Sequence, residues 1–545
     1  MKRLTFASIL IVSGILAFGA PPTRSFAVPL SCGELAKLVL SNATITSAAI
    51  VEAGAFTPPA DLPAYLAGDA GLYKKLQAFC RVRITDKPTT DSDIKIEVWL
   101  PASGWNGKFR GQGNGGFAGM IDYGNLALAI FQGYATAGTD TGHGADGGDA
   151  RWALGHPEKI VDFGHRAIHE MTVLGKTIAK GFYGDAPKHA YFSAISNGGR
   201  QALMEAQRYP EDYDGIVAGA PANYWTHLMA SALWDEQATT GDPASYIPAS
   251  KVPAIAKAVV AACDADDGVK DGIVDDPRKC YFDPATITCK GADADFCLTA
   301  PQVTALKKLY AGAHDSKGKT IFPGFVPGGE EGDCGWPLWI TGPDPADALL
   351  FEFGNGYFAN MVYDKPDWDY KKATLDEAVK ASDEKFANVL NAVQADMKAF
   401  KARGGKLIIY QGWSDAAISP LNAINYYESV LQKMGQSESD AFLRLYMVPG
   451  MHHCGGGPGP DRFGAFGISP INDPQHNIYL AVENWVEKGK APGTVIALKA
   501  DGFGPTVKVT MTRPLCVYPQ MAKYKGSGDT NEAANFVCGG PEVKR

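Results

Sequence analysis

The sequence predicts an α/β fold, in which parallel strands alternate with helices and present side chains at their carboxyl ends. Three observations support this prediction. A strand-like stretch at 189–193 precedes a serine and two glycines, and a second at 406–410 precedes an aspartate. A third, at 443–448, precedes a glycine-rich loop with two histidines. Apolar and aromatic residues dominate each stretch, as in the buried strands of parallel sheets.

The first segment has the composition of a strand that turns sharply into a helix. Ser196 is followed closely by Gly198 and Gly199, which permit a tight turn, and 200–208 has helical composition. This is the setting of a nucleophile elbow, in which a serine is exposed at the end of a strand. The Gly-x-Ser-x-Gly pattern is incomplete because Ala194 stands at the first glycine position. A buried structural serine is the alternative interpretation of so short a motif.

Two later segments supply the partners that a reactive serine needs. Asp415 lies just past the strand predicted at 406–410, and His452 and His453 lie in the loop after 443–448. An imidazole accepts the serine proton, and a carboxylate orients that imidazole. The chain order of serine, aspartate and histidine, each after its own strand, is that of the α/β hydrolases. The other eight histidines lack such a loop context, and we interpret them as structural or surface residues.

Acyl transfer also requires N–H donors for the negatively charged oxygen of the intermediate. The amide of Asn197, next to the candidate nucleophile, is one such donor. The second is expected from a glycine-rich loop after an early strand, and the loop 111–119 follows the strand-like residues 108–110. We favour Gly115, with Gly116 as the neighbouring candidate. Phosphate-binding turns and hairpins use similar glycines, so the position of this loop upstream of the serine is the supporting observation.

Composition and the amino terminus predict an exported globular protein. Of 545 residues, 46% are hydrophobic and 20% charged, which permits a large core, and the length exceeds one ordinary domain. Residues 1–27 have a basic start, a short apolar run and small residues before the expected cleavage site, as in a secretory signal peptide. An uncleaved anchor is the alternative, and no later segment is expected to span a membrane. We therefore predict a secreted or periplasmic location.

The charge balance argues against one class of partner. Cleavage after residue 27 leaves 48 basic against 59 acidic residues, so the formal charge changes from −8 to about −11. An acidic chain without a basic stripe is a poor nucleic-acid binder.

The ten cysteines agree with an oxidising compartment. Local spacing predicts four disulfides, which join Cys32 with Cys80, Cys263 with Cys280, Cys289 with Cys297, and Cys516 with Cys538. Cys334 and Cys454 remain, either as free thiols or as a fifth pair. A zinc site is the competing explanation, but the chain has no CxxC motif.

The segment 263–277 is rich in aspartates, with glycines that permit turns between them. Oxygen ligands at such short spacing wrap around a hard cation in calcium loops. We assign the following groups to a structural Ca²⁺ ion: the carboxylates of Asp264, Asp267 and Asp271 and the backbone carbonyls of Val269 and Ile273. A solvated acidic turn is the alternative, but carboxylates crowded between two cysteines repel one another without a cation.

Together these segments resemble the tannase and feruloyl esterase family, which includes an enzyme that hydrolyses mono(2-hydroxyethyl) terephthalate. The resemblance covers nearly all of the mature chain. It rests on 114–117, on 191–192 with 196–201, on the Cys-Asp-x-x-Asp-Gly loop, on 412–415 with 418–420, and on 453–461. It implies a secreted α/β-hydrolase core at 28–222 and 400–545, interrupted at 223–399 by a lid that holds the calcium loop.

The resemblance also implies roles for individual residues. Ser196 corresponds to the nucleophile, Asp415 to the orienting acid, and His453, directly before Cys454, to the base. The calcium ligands assigned above fall on the loop that holds calcium in the family.

The chain departs from the family pattern at the residue before the serine. Family members have a cysteine there, which forms a disulfide with the cysteine after the histidine. This sequence has Ile195, so Cys454 lacks that partner. We expect Ile195 to fill the space with an apolar side chain and to leave a working site with a looser histidine loop. The alternative is a displaced loop that misplaces His453 and weakens catalysis.

The expected function is that of an exported serine carboxylesterase that hydrolyses small esters of aromatic acids, free or linked to plant polymers, through an acyl-enzyme. Feruloyl and related hydroxycinnamoyl esters come first because they are the family's commonest substrates, and galloyl esters come second. A terephthalate monoester would need a cationic partner for its free carboxylate. A catalytically weakened, esterase-like binding protein and a secreted serine peptidase are the alternatives from other classes.

The predicted lid is rich in aromatic residues. Most are expected to build its own core, and a few to hold a planar acyl group. They are Tyr224, Trp225, Trp234, Trp336, Trp339, Phe351, Phe353, Tyr357 and Phe358.

Overall fold

Strands lie where the apolar stretches predict them. A computed structural model of the chain describes residues 28–465, 471–502 and 507–540, so the signal peptide predicted at 1–27 lies outside the described residues. The fifteen described strands are β1 (Ala43–Val51), β2 (Phe79–Asp86), β3 (Ile94–Pro101), β4 (Lys108–Gln112), β5 (Ala135–Thr139), β6 (His189–Ile195), β7 (Gly215–Gly219), β8 (Gly312–His314), β9 (Thr320–Pro323), β10 (Lys406–Gly412), β11 (Leu443–Val448), β12 (Val495–Ala500), β13 (Val509–Leu515), β14 (Met521–Tyr524) and β15 (Phe536–Gly539).

Nine of these strands form the main sheet, in the order β1-β2-β3-β5-β4-β6-β7-β10-β11. In this order the pairs from β1 to β5 are antiparallel, and the pairs along β5-β4-β6-β7-β10-β11 are parallel. The α/β-hydrolase fold class predicted from the chain order is therefore confirmed. Parallel strands end at a common edge, so the residues after β6, β10 and β11 lie along one side of the sheet.

Helices cover both faces of this sheet. The described α-helices are α1 (Cys32–Leu35), α2 (Ala64–Ala67), α3 (Ala70–Tyr73), α4 (Tyr123–Phe131), α5 (Pro157–Val161), α6 (Ala167–Tyr183), α7 (Asn197–Arg208), α8 (Trp225–Thr240), α9 (Val252–Cys263), α10 (Ala300–Ala311), α11 (Trp336–Trp339), α12 (Leu349–Gly356), α13 (Leu375–Leu390), α14 (Lys398–Ala402), α15 (Pro420–Met434), α16 (Gln436–Asp440) and α17 (Ile478–Lys488).

The alternating side chains of the central strands build one core on each face. Ile216 and Ile409 pack with helices α6, α7 and α15, whereas Val217 and Ile408 pack with α4 and α17. Burial on both faces explains why the central strands are nearly continuous apolar runs.

The chain leaves the sheet after β7 and returns at β10. The intervening residues include α8 to α14 and the β8–β9 hairpin, and they have their own buried cluster around Trp225, Ile255 and Trp336. We call the predicted lid, residues 223–399, the lid segment.

One stretch in this lid segment differs from expectation. Pro243–Asp267 is long and apolar enough to cross a membrane by length and composition. Its α9 helix buries Val252, Ile255 and Val259 in the core of the lid segment, which accounts for its apolar composition. A buried helix in the core of a protein can meet the same criteria of length and hydropathy as a membrane-spanning helix, so these two properties are weak support for a membrane span.

Five disulfides connect the ten cysteines. The four predicted pairs are present, and Cys334 and Cys454 form the fifth, across 120 positions of sequence. This fifth pair resolves the alternatives left open for the two remaining cysteines, because neither is a free thiol.

A group of buried and partly buried ionisable side chains lies away from Ser196. His169, Glu205 and Asp212 place possible metal-ligand atoms within 4.8 Å of one another. Glu205 is on α7, which starts at the serine and runs back across the sheet, and Asp212 precedes β7, so the group lies at the opposite edge. The Glu205 carboxyl group faces the Asp212 carboxylate, and among the described residues its oxygens have no other hydrogen-bond partner. Burial raises the pKa of Glu205 well above its usual range, and the adjacent Asp212 raises it further.

We predict that Glu205→Gln stabilises the protein at pH 8. Folded Glu205 holds its proton above the pH at which unfolded glutamate loses it, so wild-type stability falls as pH rises through this window. Glutamine cannot ionise and can donate to Asp212, so the variant should gain about 1 to 2 kcal/mol at pH 8 and match wild type below about pH 4. Denaturant melts at both pH values measure this difference.

The exposed neighbour Glu211 provides the control for this experiment. Its side chain is 84% exposed, so Glu211→Gln should change stability by less than about 0.5 kcal/mol at either pH. A loss of stability of Glu205→Gln at pH 8 would contradict the prediction and indicate a cation, instead of a proton, between the two carboxyl groups.

Candidate active site

Ser196 occupies the turn between β6 and α7. Its backbone has φ 66° and ψ −125°, a conformation that residues other than glycine rarely adopt. The Ser196 N–H donates to the carbonyl of Gly219 at 3.0 Å. A Cβ on Gly199 would lie 2.3 Å from that same carbonyl oxygen, so only glycine fits there. The elbow predicted from the serine and the two glycines is therefore present, with the backbone strain that often marks functional sites.

The two unusual residues before the serine fit their surroundings. The methyl group of Ala194 lies beside Gly113 and Gly198. A Cβ on Gly113 would be 2.7 Å from this methyl group and a Cβ on Gly198 would be 2.4 Å from it, so the alanine fits only because both neighbours are glycines. Ile195 is partly buried and packs against the apolar cluster that contains Tyr410. The expectation that Ile195 fills the space with an apolar side chain agrees with this packing.

Asp415 follows β10 by three residues, and its buried carboxylate accepts four hydrogen bonds. Its Oδ1 accepts the N–H groups of Ala417 and Ile418, both at 2.8 Å. Its Oδ2 accepts Nε2 of Gln411 at 2.8 Å and Nδ1 of His453 at 2.8 Å. A carboxylate can only accept, so His453 carries its proton on Nδ1, and Nε2 is left to accept a proton. Gln411 is a residue that the strand pattern did not single out.

The two adjacent histidines have different environments. His453 is 5% exposed and contacts Asp415, as the family resemblance implies. His452 is 1% exposed, its Nε2 has no hydrogen-bond partner in the part of the chain that the structure describes, and burial lowers its pKa to about 4. It lies against the lid segment, where a Cβ on Gly332 would come within 2.8 Å of its ring. His452 is therefore a neutral packing residue.

The glycine loop after β4 lies against the elbow. The strand runs two residues further than predicted, to Gln112, so the loop begins at Gly113. The Asn114 N–H donates to Oε1 of Gln201 on α7 at 2.9 Å. A Cβ on Gly198 would lie 3.1 Å from the Asn114 carbonyl oxygen. These contacts bring the loop and the start of α7 together.

The predicted oxyanion donors lie in this region. Asn197 is the first residue of α7, and the first N–H groups of a helix have no partner within it. A Cβ on Gly115 would meet no atom of the described residues within 4 Å, so Gly115 borders open space among them. Gly116 has φ 53° and packs so tightly that a Cβ there would lie 2.4 Å from the Gly147 carbonyl.

Two aromatic side chains of the lid segment approach the catalytic loops. The ring of Trp339 meets the His453 imidazole edge to face, with centroids 5.1 Å apart and planes at 81°. Phe353 stacks beside Trp339 at 6.4 Å and meets Phe117 at 5.2 Å. A Cβ on Gly116 would lie 3.3 Å from the Phe353 ring. Four other aromatic residues are buried in the core of the lid segment, as expected: Trp225, Trp336, Tyr357 and Phe358.

The acidic loop of the lid segment folds tightly around its own carboxylates. Asp264 accepts the Gly272 N–H at 2.8 Å, and Asp267 accepts the Val269 N–H at 2.8 Å. Asp271 forms an ion pair with the buried guanidinium of Arg513 at 2.6 Å. Three of the predicted cation ligands therefore lie in one compact turn.

Asp275 is a further member of this group, which the spacing did not single out. It is 7% exposed, and no described residue forms a hydrogen bond with its Oδ1. Burial raises the pKa of Asp275 well above its usual range, and the charge of Asp267 adds to the shift. Burial also raises the pKa of Asp267, to about 6. The loop is thus rich in oxygen donors and contains a buried carboxylate oxygen, Asp275 Oδ1, that has no partner within the described part of the chain. Hard cations prefer such oxygen donors.

Comparisons with known proteins identify the family of the chain. A family model described as "Tannase and feruloyl esterase" matches residues 80–539. An uncharacterized esterase of Xanthomonas campestris pv. campestris is 41% identical over 99% of this chain and 96% of its own length. The crystal structure of feruloyl esterase B from Aspergillus oryzae has 30% identity and a TM-score of 0.84, covering 93% of this chain and 99% of that one.

A more distant structure shares the fold. Tannin acyl hydrolase from Aspergillus niger superposes with a TM-score of 0.70 at 23% identity, covering 92% of each chain. The family model spans most of the sequence, and the esterase relatives align over nearly their full lengths. The chain is therefore an esterase of the tannase and feruloyl esterase family, with the α/β-hydrolase fold.

Proposed function

We propose that the chain is a serine carboxylesterase that hydrolyses esters of hydroxycinnamic acids through an acyl-enzyme. The observation that carries this proposal is the 2.8 Å contact between His453 Nδ1 and Asp415 Oδ2. This contact lies at the edge of the sheet where Ser196 occupies the turn between β6 and α7. The three side chains have the types and chain order of a catalytic triad.

In the first half of the reaction, Ser196 Oγ attacks the ester carbonyl carbon while Nε2 of His453 accepts the hydroxyl proton. The carbonyl oxygen becomes negatively charged, and the N–H groups of Asn197 and Gly115 are the proposed donors to it. The tetrahedral intermediate then loses the alcohol, which takes the proton from His453, and the acyl group remains on Ser196.

In the second half, a water molecule gives a proton to His453 and attacks the acyl carbon, and the acid leaves as Ser196 regains its proton. Asp415 stabilises the imidazolium in both halves. Its four hydrogen bonds fix its position, because each oxygen accepts from two donors. This arrangement keeps the imidazole in the tautomer that accepts the serine proton.

The substrate class rests on the relatives and on the lid segment. A relative named "Probable feruloyl esterase B", from Aspergillus clavatus, is 35% identical over 84% of this chain. Trp339 and Phe353 lie between His453 and the Gly116 loop, where flat apolar surfaces favour a planar aromatic acyl group. Galloyl and terephthalate monoesters are the alternatives within the family.

A side-by-side panel of methyl ferulate, methyl gallate and a terephthalate monoester tests the substrate class. We expect the highest kcat/KM for methyl ferulate. A higher value for either of the other esters would reject the hydroxycinnamoyl assignment while leaving the esterase mechanism intact. A fluorophosphonate that labels no serine in the folded protein would instead support the alternative of a weakened, esterase-like binding protein, since only an activated serine reacts.

We also propose that the acidic loop holds a structural Ca²⁺ ion. Asp264, Asp267, Val269, Asp271 and Ile273 are the proposed ligands, and Asp275 adds a buried carboxylate beside them. The ion would neutralise this group of carboxylates and cross-link the loop. It lies on the lid segment, and no catalytic step is assigned to it.

Chelation is predicted to destabilise the protein. At a Ca²⁺ concentration about 100 times Kd, the ion contributes about 3 kcal/mol to folding, so excess EGTA should lower the melting temperature by several degrees. Asp267→Asn should remove most of this difference between calcium and EGTA. Asp266→Asn is the matched control because Asp266 is an exposed residue of the same loop, and it should keep the full difference. Equal melting temperatures of the wild type in calcium and EGTA would refute the calcium site.

We propose, finally, that the protein is exported. Five disulfides and the signal-like residues 1–27 support this proposal. Mass spectrometry of the protein recovered outside the cytoplasm should give an amino terminus at Val28. Recovery of an uncleaved, membrane-associated chain would support the anchor alternative.

A further inference from the structure

The residue after the proposed catalytic base is covalently bound to the lid segment. Cys454 follows His453 directly, and it forms a disulfide with Cys334. The other four disulfides do not include a residue adjacent to Ser196, Asp415 or His453. The Cys334–Cys454 bond is therefore placed to act on the position of the imidazole.

The histidine loop has a backbone that needs such a restraint. Gly455, Gly456 and Gly457 follow in succession, with φ values of 81°, 75° and 85°. Glycines have the largest conformational freedom of all residues, so this loop loses much entropy when it is ordered. Its own contacts include the Gly456 N–H to Asp461 at 2.7 Å and a bond from the Lys499 ammonium to the Gly457 carbonyl at 2.5 Å. Backbone bonds from the Gly455 N–H to the His452 carbonyl at 3.2 Å and from the His452 N–H to the Gly456 carbonyl at 3.3 Å close a turn around Cys454. These two bonds lie within the turn itself and do not attach it to the lid segment.

The lid side of the disulfide is, in contrast, held by a hydrogen bond and close packing against the catalytic core. We call residues 328–339 the anchor strip. Ser414 Oγ donates to the carbonyl of Gly328 at 2.6 Å, and a Cβ on Gly329 would lie 2.6 Å from the Ser414 carbonyl oxygen. The anchor strip thus packs directly against the residue before Asp415.

The buried carboxylate of Glu330 holds the anchor strip together from within. It is 1% exposed and accepts the Gly328 N–H at 3.0 Å and the Tyr310 hydroxyl at 2.7 Å. At the other end of the strip, Trp339 contacts the His453 ring. The strip therefore contacts the aspartate loop and the histidine loop at once, and the disulfide fixes the second contact covalently.

We propose that the Cys334–Cys454 disulfide is a positioning element of the active site, which clamps the histidine loop to the anchor strip and keeps His453 at Asp415. This inference rests on the proposed serine-esterase function. The elbow offers no cysteine for this purpose, because Ile195 packs in an apolar cluster instead.

The central test removes the disulfide and compares it with a matched one. Cys334→Ser with Cys454→Ser should lower kcat for methyl ferulate by about 10- to 100-fold, since a small misplacement of a catalytic group has effects of this size, with KM changed less than about 3-fold. Cys289→Ser with Cys297→Ser removes another disulfide of the lid segment, and kcat should stay within about 3-fold of wild type. Assays are run at a temperature where circular dichroism shows each variant to be folded.

Two further measurements distinguish positioning from general stability. Ile195→Cys combined with Cys334→Ser offers Cys454 a new partner beside the serine, and kcat should return to within about 3-fold of wild type if a clamp on the loop is what matters. Amide exchange of residues 449–461, measured by mass spectrometry, should speed up in the variant without the Cys334–Cys454 bond but not in the variant without the Cys289–Cys297 bond.

The outcomes separate the clamp from the proposed function. An unchanged kcat with unchanged exchange in the variant lacking both Cys334 and Cys454 would overturn the clamp. Failure of the wild type to hydrolyse any ester would overturn the proposed function, and the exchange measurement would still decide whether the disulfide orders the histidine loop.

Discussion

Ser196→Ala is expected to lower kcat for methyl ferulate by about 10⁵- to 10⁶-fold, the largest effect of any single substitution in this chain. Alanine removes the hydroxyl that attacks the ester, while the elbow backbone and its bond to the Gly219 carbonyl remain. Steady-state kinetics and fluorophosphonate labelling measure the effect, and only the wild type should gain the mass of the label.

Ser193→Ala is the matched control for this substitution. Ser193 lies three residues earlier on β6, and its hydroxyl accepts hydrogen bonds from the Arg110 guanidinium at 2.9 and 3.2 Å. Its loss should reduce stability by about 1 to 3 kcal/mol and leave kcat within a few-fold of wild type. Equal rates for the wild type and Ser196→Ala would place the nucleophile elsewhere.

Asp415→Asn should lower kcat by about 10⁴-fold with little change in KM. The Ala417 and Ile418 N–H groups require an oxygen at the Oδ1 position, so the asparagine must turn its NH₂ group toward His453. The imidazole Nδ1 then accepts instead of donating, and the ring proton moves to Nε2, which can no longer take the proton of Ser196. Kinetics together with a melting curve separate this effect from unfolding.

The control for Asp415→Asn is a second histidine–aspartate pair. His169 Nδ1 and Asp212 Oδ2 are 2.7 Å apart, close to the 2.8 Å between His453 and Asp415, but they lie at the opposite edge of the sheet. Asp212→Asn should keep kcat within about 3-fold of wild type. A similar loss of activity in both variants would mean that destabilisation, not the tautomer of His453, explains the effect.

Much of the site is predictable because it depends on residues that are close in sequence. The elbow requires a strand followed by Ser196 and small residues, and the structure places Gly198 and Gly199 where side chains would clash. Asp415 and His453 each follow an apolar stretch of the length and composition of a buried strand. Four disulfides join cysteines at most 48 positions apart, where the intervening chain brings the pair together easily.

Other features depend on how the lid segment packs on the catalytic core. Local pattern does not distinguish His452 from His453, and only the family resemblance selected His453. The structure shows a physical difference: the His453 ring faces Asp415, whereas the His452 ring packs against Gly332. Asp275 lies in the same acidic segment, but its spacing did not mark it as a ligand, and only its burial beside Asp267 places it with the other carboxylates.

The sequence by itself determined the α/β class, the strand ends that carry Ser196, Asp415 and His453, and the short-range disulfides. These follow from side-chain size, polarity and spacing within single segments. Only the tertiary structure decided that Cys454 pairs with Cys334 and that Trp339 and Phe353 are the lid rings beside the catalytic loops. Contacts of this kind are set by the packing of whole layers against each other, because the free energy that selects them comes from surface buried between segments far apart in the chain.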